Sequence, residues 1–205
     1  MNGRDALKSF YFIPDSLLEL IRNTAISFVL LIAIGYALGF MRPGSLDALM
    51  TTFTGAAAEI GLYQVSDWQL MLTILSNNLF ALLFTIAIGL IPFLHLSALV
   101  LGLNALMIGA LGVYYVQKGF GIVAYLAGTL PHGIVESIAL VMSCAAGLYS
   151  CRASTWGILG RIEGKTVAKA LGSSLRVFTR WVVPLTVISA ALEAYVTPLF
   201  LSRFM

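Results

Sequence analysis

The chain predicts an all-α, polytopic membrane helical bundle with about five transmembrane helices, interfacial amphipathic helices and one broken or re-entrant helix around Pro131. Three observations carry this reading. Of 205 residues, 60% are hydrophobic and 10% charged, against about a quarter charged in soluble domains, which excludes an ordinary soluble globule, a disordered chain and a coiled coil. The apolar stretches are continuous and far longer than the roughly ten alternating residues of a barrel strand, which excludes a transmembrane β-barrel. The charges are confined to a few segments, so that residues 68–117 hold no Asp, Glu, Lys or Arg. The length suits a single integral membrane domain over residues 1–205.

Residues 1–22 combine Arg4, Asp5, Lys8, Asp15 and Glu19 with the aromatic run Phe10-Tyr11-Phe12. So acidic a lead does not suit a cleaved signal peptide and predicts an amphipathic interfacial segment, interrupted near Pro14. From Asn23 to Met41 no charge intervenes, enough chain to cross the hydrocarbon layer at about 1.5 Å per residue. Arg42-Pro43-Gly44 ends this first span. Between Ser45 and Asp67, Leu46, Leu49, Met50, Phe53 and Ala57 recur at helical spacing but Gly55 and Gly61 break the pattern, predicting a segment that lies on the membrane surface or dips partly into the bundle. Its Glu59 is either a snorkelling surface carboxylate or a polar group turned toward a bundle cavity.

The charge-free stretch from Trp68 is too long for one helix and reads as two spans, about residues 70–89 and 93–115. Gly89-Leu90-Ile91-Pro92 divides them, since proline lacks the amide proton and disfavours helix in the residue before it. Tyr114, Tyr115 and Gln117-Lys118-Gly119 close the second. From Phe120 to Ser150 two readings fit: one long helix kinked at Pro131, or a re-entrant Phe120–Leu130 piece followed by a full span. Both bury the Pro131-His132-Gly133 corner, because non-helical backbone at membrane depth must be covered. Residues 152–180 form a basic cytoplasmic connection, Arg152, Arg161, Lys165, Lys169, Arg176 and Arg180 against Glu163, with an amphipathic helical middle. The last span is about Trp181 to Leu201 and contains Pro184, Glu193 and Pro198.

Basic residues set the orientation. With five spans and the amino terminus inside, Arg4, Lys8, Arg22 and the six of the basic connection lie inside, while Arg42, Lys118 and Arg203 lie outside. This predicts a multi-pass protein of the cell membrane with a cytoplasmic amino terminus and an outside carboxyl terminus. The basic connection then faces anionic headgroups of the lipid bilayer, and nothing in it resembles a nucleic-acid module. Cys144 and Cys151, seven residues apart and about 10 Å along a helix, are too distant for a disulfide and read as buried thiols.

Polar residues inside spans are the functional candidates. His132 and Glu136, four apart, share one helix face, so they can form an intramembrane hydrogen-bonded pair, relay a proton or ion, or serve as two weak metal-ligand candidates. Two ligands do not make a zinc site, the sequence has no HExxH string, and no cofactor is expected. Asn77, Asn78 and Asn104 are their natural partners, as glue between helices or as the lining of a polar cavity. Glu193, with no basic neighbour, needs an internal partner of its own or must stay protonated and neutral. Gly102, Gly109 and Gly112, and Gly121, Gly128 and Gly133, predict close helix packing and a homodimer contact.

The succession Ser76-Asn77-Asn78, Gly89-Leu90-Ile91-Pro92, Gly102-Leu103-Asn104-Ala105, Leu130-Pro131-His132-Gly133 with Glu136 and Ala139, and Ala146-Gly147 resembles the stage II sporulation protein M family of integral membrane proteins, over about residues 20–200. In that resemblance Asn77, Asn78, Pro131, His132, Gly133 and Glu136 match motif positions, and no catalytic assignment comes with them. It implies a membrane anchor or scaffold within a complex that includes peptidoglycan-remodelling or other envelope proteins and drives engulfment during sporulation. A transporter or ion-coupled permease using the His/Glu/Asn cluster is the alternative. An intramembrane metal-dependent hydrolase is the third reading, since no nucleophile, base and oxyanion arrangement is visible and a further ligand would have to join His132 and Glu136.

Overall fold

A computed structural model of the chain describes residues 13–41 and 66–201. In order these form α1 (Asp15–Met41), α2 (Asp67–Ile88), α3 (Leu96–Gln117), α4 (Gly121–Ile158), α5 (Gly164–Val177), a π turn (Phe178–Val182), α6 (Val183–Ala191), a second π turn (Leu192–Val196) and α7 (Thr197–Leu201). α5 to α7 follow one another without interruption, so five long rods, α1 to α4 and this composite one, have the length and apolarity to cross a membrane. The protein is thus an all-α, polytopic membrane bundle, as hydropathy predicts, and its carboxyl-terminal helix is the broken one.

α1 starts at Asp15, just after Pro14, and its 27 residues extend about 40 Å. Asp15–Arg22 therefore belongs to the spanning helix itself and not to a separate interfacial piece. The earlier part of that segment, the 42–65 stretch with Glu59, and residues 202–205 lie outside the described residues. α2 begins in a capping box: Ser66 Oγ accepts from the Gln69 amide while Gln69 Oε1 accepts from the Ser66 amide at 3.1 Å. The turn after Gly89 is longer than expected and α3 starts at Leu96, not at residue 93. Phe93 and His95 hold left-handed backbone, φ 68° and 48°, which no right-handed helix can include. The turn is tied to α4 by the Phe93 amide donating to Thr155 Oγ1 at 2.9 Å and by the Cys151 thiol donating to the Ile91 carbonyl at 3.3 Å.

α4 decides the ambiguity around Pro131. It is one continuous helix of 38 residues, so the re-entrant alternative falls. Pro131 leaves the Ala127 carbonyl without its usual helical donor, and flanking turns hold the rod together. α4 is also the hub of the bundle, packing on α1, α2, α3, α5, α6 and α7. Its most buried stretch, residues 139–147, is rich in small side chains: Ala139, Ser143, Cys144, Ala145, Ala146 and Gly147. Both cysteines are buried free thiols.

Within residues 152–180 the amphipathic helical middle is α5. Arg152 lies within α4, its guanidinium 4.2 Å over the Trp156 ring, and only residues 159–163 break the helix before α5. α5 is pinned to α4 by a buried chain in which Ser150 Oγ donates to Ser174 Oγ and Ser174 Oγ to the Ala146 carbonyl, both at 2.9 Å.

α1 and α3 make the most extensive pairing. A Cβ at Gly35 would overlap the Leu106 carbonyl, and one at Gly109 would overlap the Ile32 carbonyl, so this crossing needs glycine from both helices. Gly109 and Gly112 thus serve packing within one chain. Gly102 meets nothing nearer than Leu31 Cδ1 at 3.9 Å.

Candidate functional site

Two prolines shape the site. Pro184 cannot donate to the carbonyl four residues earlier, and the residue before it, Val183, instead reaches back five residues to the Phe178 carbonyl. Pro198 repeats the device: the Thr197 amide donates to the Leu192 carbonyl. Each proline therefore follows a π turn, a distortion frequent at functional sites. The second turn carries Glu193 and, four residues on, leads to Thr197.

There Glu193 meets the face of α4 that carries His132 and Glu136. One ligating atom from each of the three side chains lies within 4.8 Å of the others, and all three residues are half-buried. His132 is about 17 Å and Glu136 about 22 Å along α4 from Gly121, close to the middle of a hydrocarbon layer about 30 Å thick. Two further bonds join the rods here. Ser189 Oγ donates to the His132 carbonyl at 3.2 Å, and His132 Nδ1 lies 3.0 Å from Thr197 Oγ1.

The direction of the second bond follows from the network. The Thr197 hydroxyl proton goes to the Leu192 carbonyl at 3.2 Å, so Thr197 Oγ1 accepts and His132 Nδ1 donates. This tautomer leaves a lone pair on Nε2. Among the described residues neither carboxylate has a hydrogen-bond or ion-pair partner. Among the described residues α2 and α3 carry no Lys or Arg, and on α4 Arg152 lies about 24 Å beyond Glu136. Two facing carboxylates in a low dielectric require a proton or a cation between them. The arrangement can therefore hold a proton or a cation.

The structure brings His132, Glu136 and Glu193 together and leaves the asparagines apart. Asn77 and Asn104 are exposed on the outer faces of α2 and α3, and Asn104 Nδ2 donates to its own helix at the Val100 carbonyl, 2.9 Å away. Asn78 is half-buried. Among the described residues no hydrogen bond links these amides to the cluster. Pro131 and Gly133 flank His132 on α4, and Gly133 helps line an apolar crevice of about 570 Å³ between α1, α3 and α4. His132, Glu136 and Glu193 are not in that lining. Sequence reasoning singled out Glu193 but not its partners, and it missed Thr197 and Ser189. The available signal was Glu193-x-x-x-Thr197-Pro198, a helical face ending at a proline.

A family model described as SpoIIM: Stage II sporulation protein M matches residues 24–198, which include the whole cluster. No curated protein and no solved structure matches the chain.

Proposed function

The chain belongs to the stage II sporulation protein M family, and from that membership we propose that it is an integral membrane anchor or scaffold of an envelope-associated assembly. The family match over residues 24–198 is the observation that carries this reading. The distribution of chain supports it: the turns at 89–95, 118–120 and 159–163 are short, and the described residues lie almost wholly in membrane-length helices. Chemistry directed at the cell wall then comes from partner proteins. In the source organism, deletion of the chain is expected to disperse a peptidoglycan-degrading enzyme from its position in the envelope, and re-expression to restore it. Unchanged positions for all such enzymes after deletion would overturn the reading.

The proposed orientation puts the basic end of α4 and α5 in the cytoplasm and Lys118, between α3 and α4, outside. Lys118→Cys is expected to react with a membrane-impermeant maleimide on intact cells, whereas the parent protein stays unlabelled because Cys144 and Cys151 are buried. Labelling only after the cytoplasmic side is opened would reverse the topology.

A second reading, an ion-coupled permease, is favoured by one observation: acidic groups meeting near mid-membrane beside a proline-broken helix. It predicts dissipation of an imposed proton or cation gradient in liposomes. The anchor reading expects rates within about twofold of empty liposomes, because it makes no use of flux. A faster rate that Glu136→Gln suppresses would favour the permease.

A further inference from the structure

The cluster has more of a metal centre than the anchor reading requires. Its three ligating atoms come from α4 and from the composite carboxyl-terminal rod, one nitrogen and two oxygens within 4.8 Å of one another. Ligands sharing a tetrahedral ion at about 2.1 Å lie about 3.4 Å apart, so rotation of the two flexible glutamate side chains is enough to close the site. Metal-binding histidines ordinarily donate their second ring N–H to a fixed acceptor, and His132 Nδ1 does so to Thr197 Oγ1. That leaves Nε2 as the ligand atom. Charge identifies the class of ion. Two carboxylates carry two negative charges, and a divalent ion brings the centre to neutrality inside a low dielectric, which a monovalent ion does not. An imidazole donor beside two carboxylates suits Zn²⁺ or Mn²⁺ over Ca²⁺ or Mg²⁺, which prefer all-oxygen sites.

We propose that His132, Glu136 and Glu193 bind one divalent first-row transition ion, of the Zn²⁺ or Mn²⁺ kind, joining α4 to the carboxyl-terminal span. Thr197 is a positioning residue that holds the imidazole in its ligating tautomer. The inference rests on the cluster's geometry and stands apart from the anchor reading. Zinc binding can fail while partner recruitment persists, and recruitment can fail while zinc binds.

The test uses the full chain, tag removed, in lipid nanodiscs after treatment with a chelator. Titration with Zn²⁺ is expected to reach one ion per chain and to raise the thermal unfolding midpoint by several degrees. Glu193→Gln is expected to weaken uptake at least about 100-fold and to abolish the zinc-induced shift, while Thr197→Val weakens it about tenfold. Asn104→Ala, away from the cluster, is expected to bind as the parent does. Mn²⁺ should give a bound electron paramagnetic resonance signal in the parent that Glu193→Gln lacks. Glu193→Gln removes one of two facing charges, so in chelator it should unfold no earlier than the parent, which separates ligand loss from misfolding. Failure of the parent to take up stoichiometric Zn²⁺, or uptake by Glu193→Gln equal to the parent's, would overturn the proposal.

Discussion

Gly109→Ala is expected to cost the protein several kcal/mol, while Gly102→Ala, seven residues earlier on the same helix, should be neutral or stabilising by up to about 1 kcal/mol. At Gly109 the added methyl would overlap the Ile32 carbonyl and stand 2.6 Å from the Tyr36 amide nitrogen. Neither atom can turn away as a side chain would, because both belong to the backbone of α1. The helices must separate, and the α1 to α3 pairing is the most extensive in the bundle. At Gly102 the nearest atom is the end of a leucine side chain at 3.9 Å, so alanine adds helix propensity and meets no resistance. The measurement is the monodisperse fraction left after heating in detergent. A Gly109→Ala protein as heat-resistant as Gly102→Ala would mean that α1 does not cross α3 at this point.

His132→Ala should also be strongly destabilising, by about 3 kcal/mol in chelator, from the space left by the ring and from a lost bond between rods. The imidazole ties α4 to Thr197 and lies beside two carboxylates. Because among the described residues those carboxylates have no hydrogen-bond or ion-pair partner, adding Glu193→Gln to His132→Ala is expected to recover at least about 1 kcal/mol more than it adds to the parent. Recovery beyond the effect of Glu193→Gln in the parent would show that His132 and Glu193 are coupled across about sixty residues of sequence. If Glu193→Gln changes stability by the same amount with and without His132, the residues are energetically independent, contrary to the contact geometry.

Much of the architecture is legible along the sequence, because partition into hydrocarbon is nearly a property of each residue and its immediate neighbours. Asn23 to Met41, the turn at Gly89 to Pro92 and the end at Gln117-Lys118-Gly119 mark spans without reference to any other part of the chain. The misjudged boundaries fall where local cues were overridden. Left-handed backbone at Phe93 and His95 delays α3, and α4, on which six other helices pack, runs unbroken through Pro131. Within the basic fragment 152–180, by contrast, the amphipathic helical middle is present as α5, whose apolar face lies on α4.

The candidate site was half legible. His132 and Glu136 pair at a spacing of four, which helix geometry alone dictates. Glu193 announced itself as a carboxylate without a basic neighbour, but its partners lie on another rod. The asparagines looked equally suited to that partnership, and composition cannot say which way a helix is turned. Likewise Gly102 and Gly109 are indistinguishable in sequence, though only one lies at a helix crossing.

The sequence by itself determined the fold class, the number of membrane-length helices and the list of polar residues costly enough in hydrocarbon to need a partner. The tertiary structure decided which of them meet. Rotation of each rod about its axis, and the extra residue in the turn before Pro198, turn Glu193 toward His132 and Glu136 and leave Asn77 and Asn104 facing outward. Those rotations come from packing between residues dozens of positions apart, an interaction that no window of hydropathy contains.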